Sequence, residues 1–126
     1  AGVDAVIICD AKTDIYNSNV IRSSIGTVFT TQIIVKNTHK ALSIIPPTPI
    51  KIFAAELEAA NNYFEINFNK SSAIVVGAEA IGLSNEWLNA ADEKIKIPML
   101  GKIYSLNVSV SAAVLLFEAV RQRSKK

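Results

Sequence analysis

The chain has 126 residues, of which 50% are hydrophobic, and its formal net charge is only +2 at pH 7. A chain of this length and composition forms a single domain with a real core, which excludes an intrinsically disordered segment. The small charge gives no reason by itself to expect nucleic acid, and no apolar run is long enough to span a membrane. One cysteine, Cys9, excludes an internal disulfide and suits a reducing cytoplasm, and a single histidine argues against a zinc site. Cys9 ends the apolar run 5–9 and is expected to be a small buried core residue.

Short apolar segments alternate with helix-forming segments along the chain. In chain order the patterns predict a strand at 3–9, a polar loop at 10–19, a helix at 19–26, a strand at 32–35, a helix capped by Asn37 or Thr38 and ended by Pro46, a strand at 50–54, a strand at 73–76, a helix at 84–91, a strand at 93–97 and a helix at 109–123. Residues 56–70 fit no single class. Ser84 is expected to cap the helix at 84–91, and Trp87 on that helix is expected to pack in the core. This alternation predicts an α/β fold with a mostly parallel sheet flanked by helices, where ligands bind beyond the carboxyl ends of the strands.

The first candidate loop, GAEAIG at residues 77–82, follows a predicted strand and precedes a predicted helix. This is the setting of a dinucleotide-binding fingerprint, but Glu79 stands where that fingerprint has its middle glycine. A carboxylate there would repel a pyrophosphate, so a nicotinamide or flavin dinucleotide is disfavoured. Two interpretations of Glu79 remain open: a solvated loop carboxylate that bonds nearby backbone N–H groups, or a side chain that faces a ligand.

The second candidate loop, residues 99–106, joins the strand that ends at Ile97 to the long apolar run of the last helix. It places Ser105 and Asn107 ahead of that helix, where the first amide N–H groups have no partner within the helix. These two side chains either bind a ligand or only close the loop and cap the helix. Considered with the first loop, they predict one ligand site at the ends of neighbouring strands.

Together the two loops resemble motifs 2 and 3 of the SpoU (TrmH-like) branch of the SPOUT methyltransferases. The matching residues are Gly77, Glu79, Gly82 and Leu83, then Ile97, Pro98, Met99 and Gly101, then Ser105, Leu106, Asn107, Val108 and Ser109. Residues 14–29, DIYNSNVIRSSIGTVF, also resemble a helix of that family, with Ser18 where proline is usual. Because the resemblance covers nearly the whole chain, residues 1–126 are expected to form a single SPOUT methyltransferase domain.

The resemblance implies an α/β knot, a deep trefoil in which loop 99–106 cradles S-adenosyl-L-methionine. It also implies methyl transfer to a ribose 2′-hydroxyl of structured RNA, either tRNA or rRNA, by a homodimer formed through the C-terminal helix and motif 3. By matching positions, the cofactor-binding residues are Ala54, Gly77, Ile97, Met99 and Leu106, with Ala54 near the adenine. The residues that line the reaction site are Glu79, Ser105 and Asn107.

The chain departs from the family at the first motif, Asn-x-Gly-x-x-x-Arg-Thr-Ala, which normally precedes the segment matched by residues 1–8 and is not present. That motif carries the arginine that the family is thought to use on the attacking hydroxyl. We therefore expect an N-terminally truncated domain, or else a non-catalytic RNA-binding or scaffolding paralogue that keeps the knot. Arg22 matches the later helix, and is expected either to contact RNA or a neighbouring subunit, or to pair with Asp10 or Asp14.

Overall fold

The fold was analysed in a computed structural model, which describes residues 1–10, 32–77, 82–102 and 107–124. The chain divides into two compact units, an N-terminal unit of residues 2–45 and a C-terminal unit that begins at Pro46. The helix predicted at 19–26 and most of the loop before it lie outside the described residues. Within the described part of the chain, no helix has the length and hydropathy that crossing a membrane requires.

The N-terminal unit contains two parallel strands and one short helix. Strand β1, Val6–Cys9, pairs with strand β2, Ile33–Lys36, and helix α1, Thr38–Ile44, follows directly. The Asn37 side chain caps α1 by accepting a hydrogen bond from the backbone N of Lys40 at 2.7 Å. The predicted strands and the capped helix are therefore confirmed.

Asp10, which directly follows β1, has a positive φ of 55°. Its carboxylate accepts hydrogen bonds from the Thr38 backbone N at 3.1 Å and from Thr38 Oγ1 at 2.7 Å. Its neighbour Cys9 is a free thiol and is only partly buried, whereas the sequence predicted a buried core residue. Partial burial, reinforced by the nearby Asp10 carboxylate, raises the pKa of the Cys9 thiol.

The C-terminal unit is built on a four-stranded parallel sheet in the order β4-β6-β3-β5. Its strands are β3 at Lys51–Ala55, β4 at Asn61–Asn62, β5 at Ser72–Val75 and β6 at Glu93–Lys96. The predicted strands at 50–54, 73–76 and 93–97 are confirmed, as is the mostly parallel α/β class. The unclassified segment 56–70 contains β4 and a 3₁₀ turn, Tyr63–Glu65.

Helix α3, Val108–Arg123, covers one face of this sheet. Its Leu115 and Ala119 belong to one buried cluster with the sheet residues Phe53 and Ile95 and with Phe68, which lies outside the strands. The rings of Phe53 and Phe68 meet edge to face, with centroids 5.0 Å apart. Burial of this apolar face is what fixes α3 on the sheet.

The opposite face of the sheet is also covered, since Ile52 and Ala54 alternate with Phe53 along β3 and are equally buried. Helix α2, Asn85–Ala90, contacts β3, and its Trp87 is buried, which confirms the core position predicted for that side chain. Ser84 occupies the predicted N-cap position of α2, but its side chain makes no capping hydrogen bond.

Candidate functional site

The carboxyl ends of β3, β5 and β6 lie side by side at one edge of the sheet. Ala54 of β3 is in register with Val75 of β5 on one side and with Lys94 of β6 on the other. Adjacent strands are about 4.8 Å apart, so the segments that leave these strands emerge close together. The structure therefore brings the predicted cofactor residues Ala54, Gly77 and Ile97 to one edge.

Ala54 is fully buried in the central part of this edge. It has 0% exposed surface, because β3 is the inner strand between β5 and β6 and is covered on both faces. A ligand at this edge would rest on the chain that continues from Ala54 into the partly buried Ala55 and Glu56. The Glu56 backbone N donates to the Ile95 carbonyl at 2.9 Å, which extends the β3–β6 pairing to the rim of the site.

Gly77 lies where the chain leaves β5, and it has no room for a side chain. A Cβ atom at Gly77 would lie 2.4 Å from the carbonyl carbon of Gly82 and 2.7 Å from the backbone N of Leu83. The two ends of loop 77–82 thus meet backbone to backbone, and Gly82 has the left-handed φ of 71° that suits glycine. Because no side chain intervenes at Gly77, the peptide groups at the end of β5 are accessible. A loop that binds a ligand through its backbone requires this.

The second loop leaves β6 and is anchored at its start. Ile97 packs against the buried cluster beneath α3, and Pro98 and Met99 are partly buried. Leu100 is 100% exposed, so the burial of this segment ends at Met99. Of the candidate site residues, this places Ile97 and Met99 at the rim of the sheet edge.

Asn107 stands at the N-terminus of α3 and caps that helix. Its Oδ1 accepts hydrogen bonds from the Val110 backbone N at 3.0 Å and from Ser109 Oγ at 2.7 Å. The capping interpretation of Asn107 is therefore confirmed. The cap uses the side-chain oxygen, and the side chain is exposed, so its amide N–H₂ group can also donate to a ligand.

The remaining predicted site residues, Glu79, Ser105, Leu106 and Arg22, lie outside the described residues. Sequence reasoning also missed side chains that form hydrogen bonds at the opposite end of the sheet, near the amino ends of β3 and β5. Asp92 ties the start of β6 to β3, and Gln122 and Arg123 at the end of α3 bond to the chain that leads into β5. No local pattern marks these residues, because each acts on a backbone group far away in the sequence.

Parallel strands whose carboxyl ends lead into a glycine-closed loop and toward a capped helix are the setting in which α/β domains bind ligands. The chain belongs to the SpoU rRNA Methylase family, whose profile matches residues 1–117. This match confirms the resemblance found in loops 77–82 and 97–109.

Known proteins resemble the chain over most of its length. It is 48% identical over 88 residues to a tRNA (guanosine(18)-2′-O)-methyltransferase of Thermus thermophilus, a match that covers 69% of this chain and 45% of that relative. It is 38% identical over 125 residues to the 23S rRNA (guanosine-2′-O-)-methyltransferase RlmB of Xylella fastidiosa, covering 98% of this chain and 50% of that relative. The chain therefore spans about half the length of these relatives.

A solved structure shows the same fold. The SpoU methyltransferase AviRb from Streptomyces viridochromogenes, in complex with the cofactor AdoMet, superposes with a TM-score of 0.92 at 28% identity. The match covers 99% of this chain and 52% of that structure.

Proposed function

We propose that this chain is the S-adenosylmethionine-binding part of an enzyme that methylates a ribose 2′-hydroxyl in structured RNA. The observation that carries the proposal is the backbone contact of Gly77 with Gly82 and Leu83, at the carboxyl end of β5. Family membership and the AdoMet complex of AviRb support the identity of the cofactor. The names of the relatives from Thermus and Xylella support tRNA or rRNA as the substrate.

In this proposal the peptide groups of Gly77, Ile97, Met99 and Leu106 hold the cofactor, with its adenine beside the chain that leaves Ala54. The cofactor supplies an electrophilic methyl group when it is bound. Glu79, Ser105 and Asn107 line the reaction site and orient the ribose hydroxyl toward that group. Orientation of this kind requires little acid–base chemistry and can supply a large part of a rate enhancement.

The proposal includes a deep trefoil knot formed by loop 99–106. The parallel order β4-β6-β3-β5 supports it, because strands that are consecutive in sequence are not neighbours in this sheet and the chain must cross over between them. It treats residues 1–126 as one methyltransferase domain, and the family match across both units supports this.

Arg22 is proposed as an RNA contact, and the free thiol of Cys9 suits a cytoplasmic enzyme.

The proposal also includes a homodimer formed through α3 and the loop before it. Val110 and Phe117, which lie on one face of α3, are 46% and 58% exposed, and Leu100 in the loop is fully exposed. Large exposed apolar side chains on one helix face are typical of a surface that a second subunit covers.

Calorimetric titration of the chain with S-adenosylhomocysteine tests the cofactor site. We expect binding in the micromolar range, and we expect Gly77→Ala to abolish it because the new methyl group collides with the Gly82 backbone. Ile52→Val is the control, since it removes a buried methyl group near the other end of β3 and should leave binding intact. A folded chain that does not bind would refute the proposal.

Methyl transfer is tested with radiolabelled cofactor and tRNA or rRNA transcripts that are digested to nucleosides afterwards. A labelled 2′-O-methyl nucleoside supports the whole proposal. Cofactor binding with no labelled nucleoside would restrict this chain to the binding role.

A further inference from the structure

The last turn of α3 bonds to a stretch of chain that belongs to no helix or strand. Gln122 Oε1 accepts from the Phe68 backbone N at 2.7 Å, and Gln122 Nε2 donates to the Ile66 carbonyl at 2.8 Å. Arg123 Nε donates to the Phe68 carbonyl and Arg123 Nη2 to the Lys70 carbonyl, both at 2.8 Å. The two side chains thus satisfy backbone groups of residues 66–70 that no sheet partner satisfies. We call these contacts the α3 pin.

The pin lies at the end of the sheet opposite the candidate site. Residues 66–70 lead directly into β5, and the Ser71 carbonyl accepts from the Lys51 backbone N at the start of β3. Helix α3 contacts β5, and Leu115 of the helix belongs to the same apolar cluster as Ile74 and Val76. The helix therefore runs along β5, and the pin holds its C-terminal end near the start of that strand.

The lengths of the two elements match. The 16 residues of α3 span about 24 Å. The seven steps from Lys70 to Gly77 span roughly 23 Å at the rise of a parallel strand. With its C-terminal end at Lys70 and its axis along β5, a helix of this length places its N-cap residue, Asn107, level with Gly77.

We propose that Gln122 and Arg123 are positioning residues, which fix the position of α3 along β5 and thereby hold Asn107 level with Gly77. The inference rests on the proposed function, since it assigns both of these residues to one cofactor site. Gln122 is suited to the task because one planar amide supplies both the acceptor for Phe68 and the donor for Ile66. A displacement of about 1 Å in a site of this kind can change function by two orders of magnitude.

Two measurements on the same variants test the pin. Gln122→Met keeps the length of the side chain and removes its three hydrogen bonds, to Phe68, Ile66 and Glu118, and we expect S-adenosylhomocysteine affinity to fall about tenfold or more. Without ligand, we expect faster amide hydrogen exchange in β5, at Gly77 and in the first turn of α3. Gln122→Glu replaces the donor by a carboxylate oxygen that faces the Ile66 carbonyl and the Glu118 carboxylate, so we expect a loss of affinity at least as large as that of Gln122→Met.

Two controls separate positioning from stability. Phe68→Leu weakens the same cluster while leaving the pin's backbone partners in place, and it should retain affinity at a similar loss of melting temperature. Arg121→Met removes the half-exposed partner of Glu118 while the hydrogen bond from Gln122 Nε2 to Glu118 stays in place, and this variant should also retain affinity.

Equal loss of affinity in Gln122→Met and Phe68→Leu, at equal melting temperature, would overturn the inference, because the pin would then only add stability. If the unsubstituted chain binds no S-adenosylhomocysteine, the proposed function fails and the exchange measurement decides the pin alone. Unchanged exchange at Gly77 and in the first turn of α3 of Gln122→Met would then refute it.

Discussion

Asp92 and Ile52 exchange a pair of hydrogen bonds across the amino end of the sheet. The Asp92 carboxylate accepts from the Ile52 backbone N at 2.7 Å, and the Asp92 backbone N donates to the Ile52 carbonyl at 2.8 Å. The side chain of Asp92 thus continues the β3–β6 ladder where β6 has not yet begun. Because this pairing sets the register of β6 on β3, it also sets where Ile97 emerges at the other edge.

We expect Asp92→Ala to destabilise the chain by about 1–3 kcal/mol, because it leaves the backbone N of buried Ile52 without an acceptor. Asp92→Asn keeps an acceptor oxygen at the same place and should cost clearly less. Urea unfolding of both variants measures the difference. Equal stability of Asp92→Ala and the unsubstituted chain would show that this hydrogen bond contributes nothing to the free energy of unfolding.

Two leucines in opposite surroundings provide a matched test of the core. Leu115 is 0% exposed under α3, whereas Leu100 is 100% exposed in the loop after β6. We expect Leu115→Ala to cost about 2–5 kcal/mol through the cavity it creates, and Leu100→Ala to change the free energy of unfolding by less than about 0.5 kcal/mol. Thermal denaturation of the two variants is the measurement, and comparable losses would contradict the described packing of α3.

Asn107 carries two roles that substitutions can separate. Asn107→Ala removes the cap of α3 and should destabilise the chain by about 1 kcal/mol. Asn107→Asp keeps the capping oxygen, so it should retain stability while losing the amide donor that we propose for the reaction site. Denaturation of both variants, beside a methyl-transfer assay of Asn107→Asp, distinguishes the roles. Full methyl transfer by Asn107→Asp would limit this residue to capping.

The Cys9 thiol should react slowly with iodoacetamide, because burial and the Asp10 carboxylate raise its pKa and so lower the thiolate fraction. The neutral thiol is the form that the folded state favours. Its contribution to stability is therefore complete below the pKa of an unfolded cysteine and is lost as the pH rises through the higher folded value. Alkylation rates of the folded and urea-unfolded chain, followed from neutral to alkaline pH, test this order. A faster reaction in the folded chain would contradict it.

Local patterns predicted the elements that depend on local chemistry. Asn37 indicated α1 because its side chain caps that helix, and the apolar runs around Phe53 and Ile74 predicted β3 and β5 because both strands are covered by apolar neighbours. Strand β4 escaped prediction because its two residues, Asn61 and Asn62, are polar and form a strand only by pairing with β6. Tertiary pairing, rather than propensity, makes that element.

The sequence by itself determined the class of fold, the two loops at the strand ends and the family they resemble, since glycine spacing and hydrophobic runs reflect local requirements of the backbone. Only the tertiary structure decided that Gly77 meets the backbone of Gly82, which excludes any side chain there. Only the tertiary structure assigned Gln122 to Ile66 and Phe68, partners 56 and 54 positions away. A hydrogen bond between a side chain and a distant backbone group depends on which distant segments the fold brings together. No periodicity in the sequence encodes that juxtaposition.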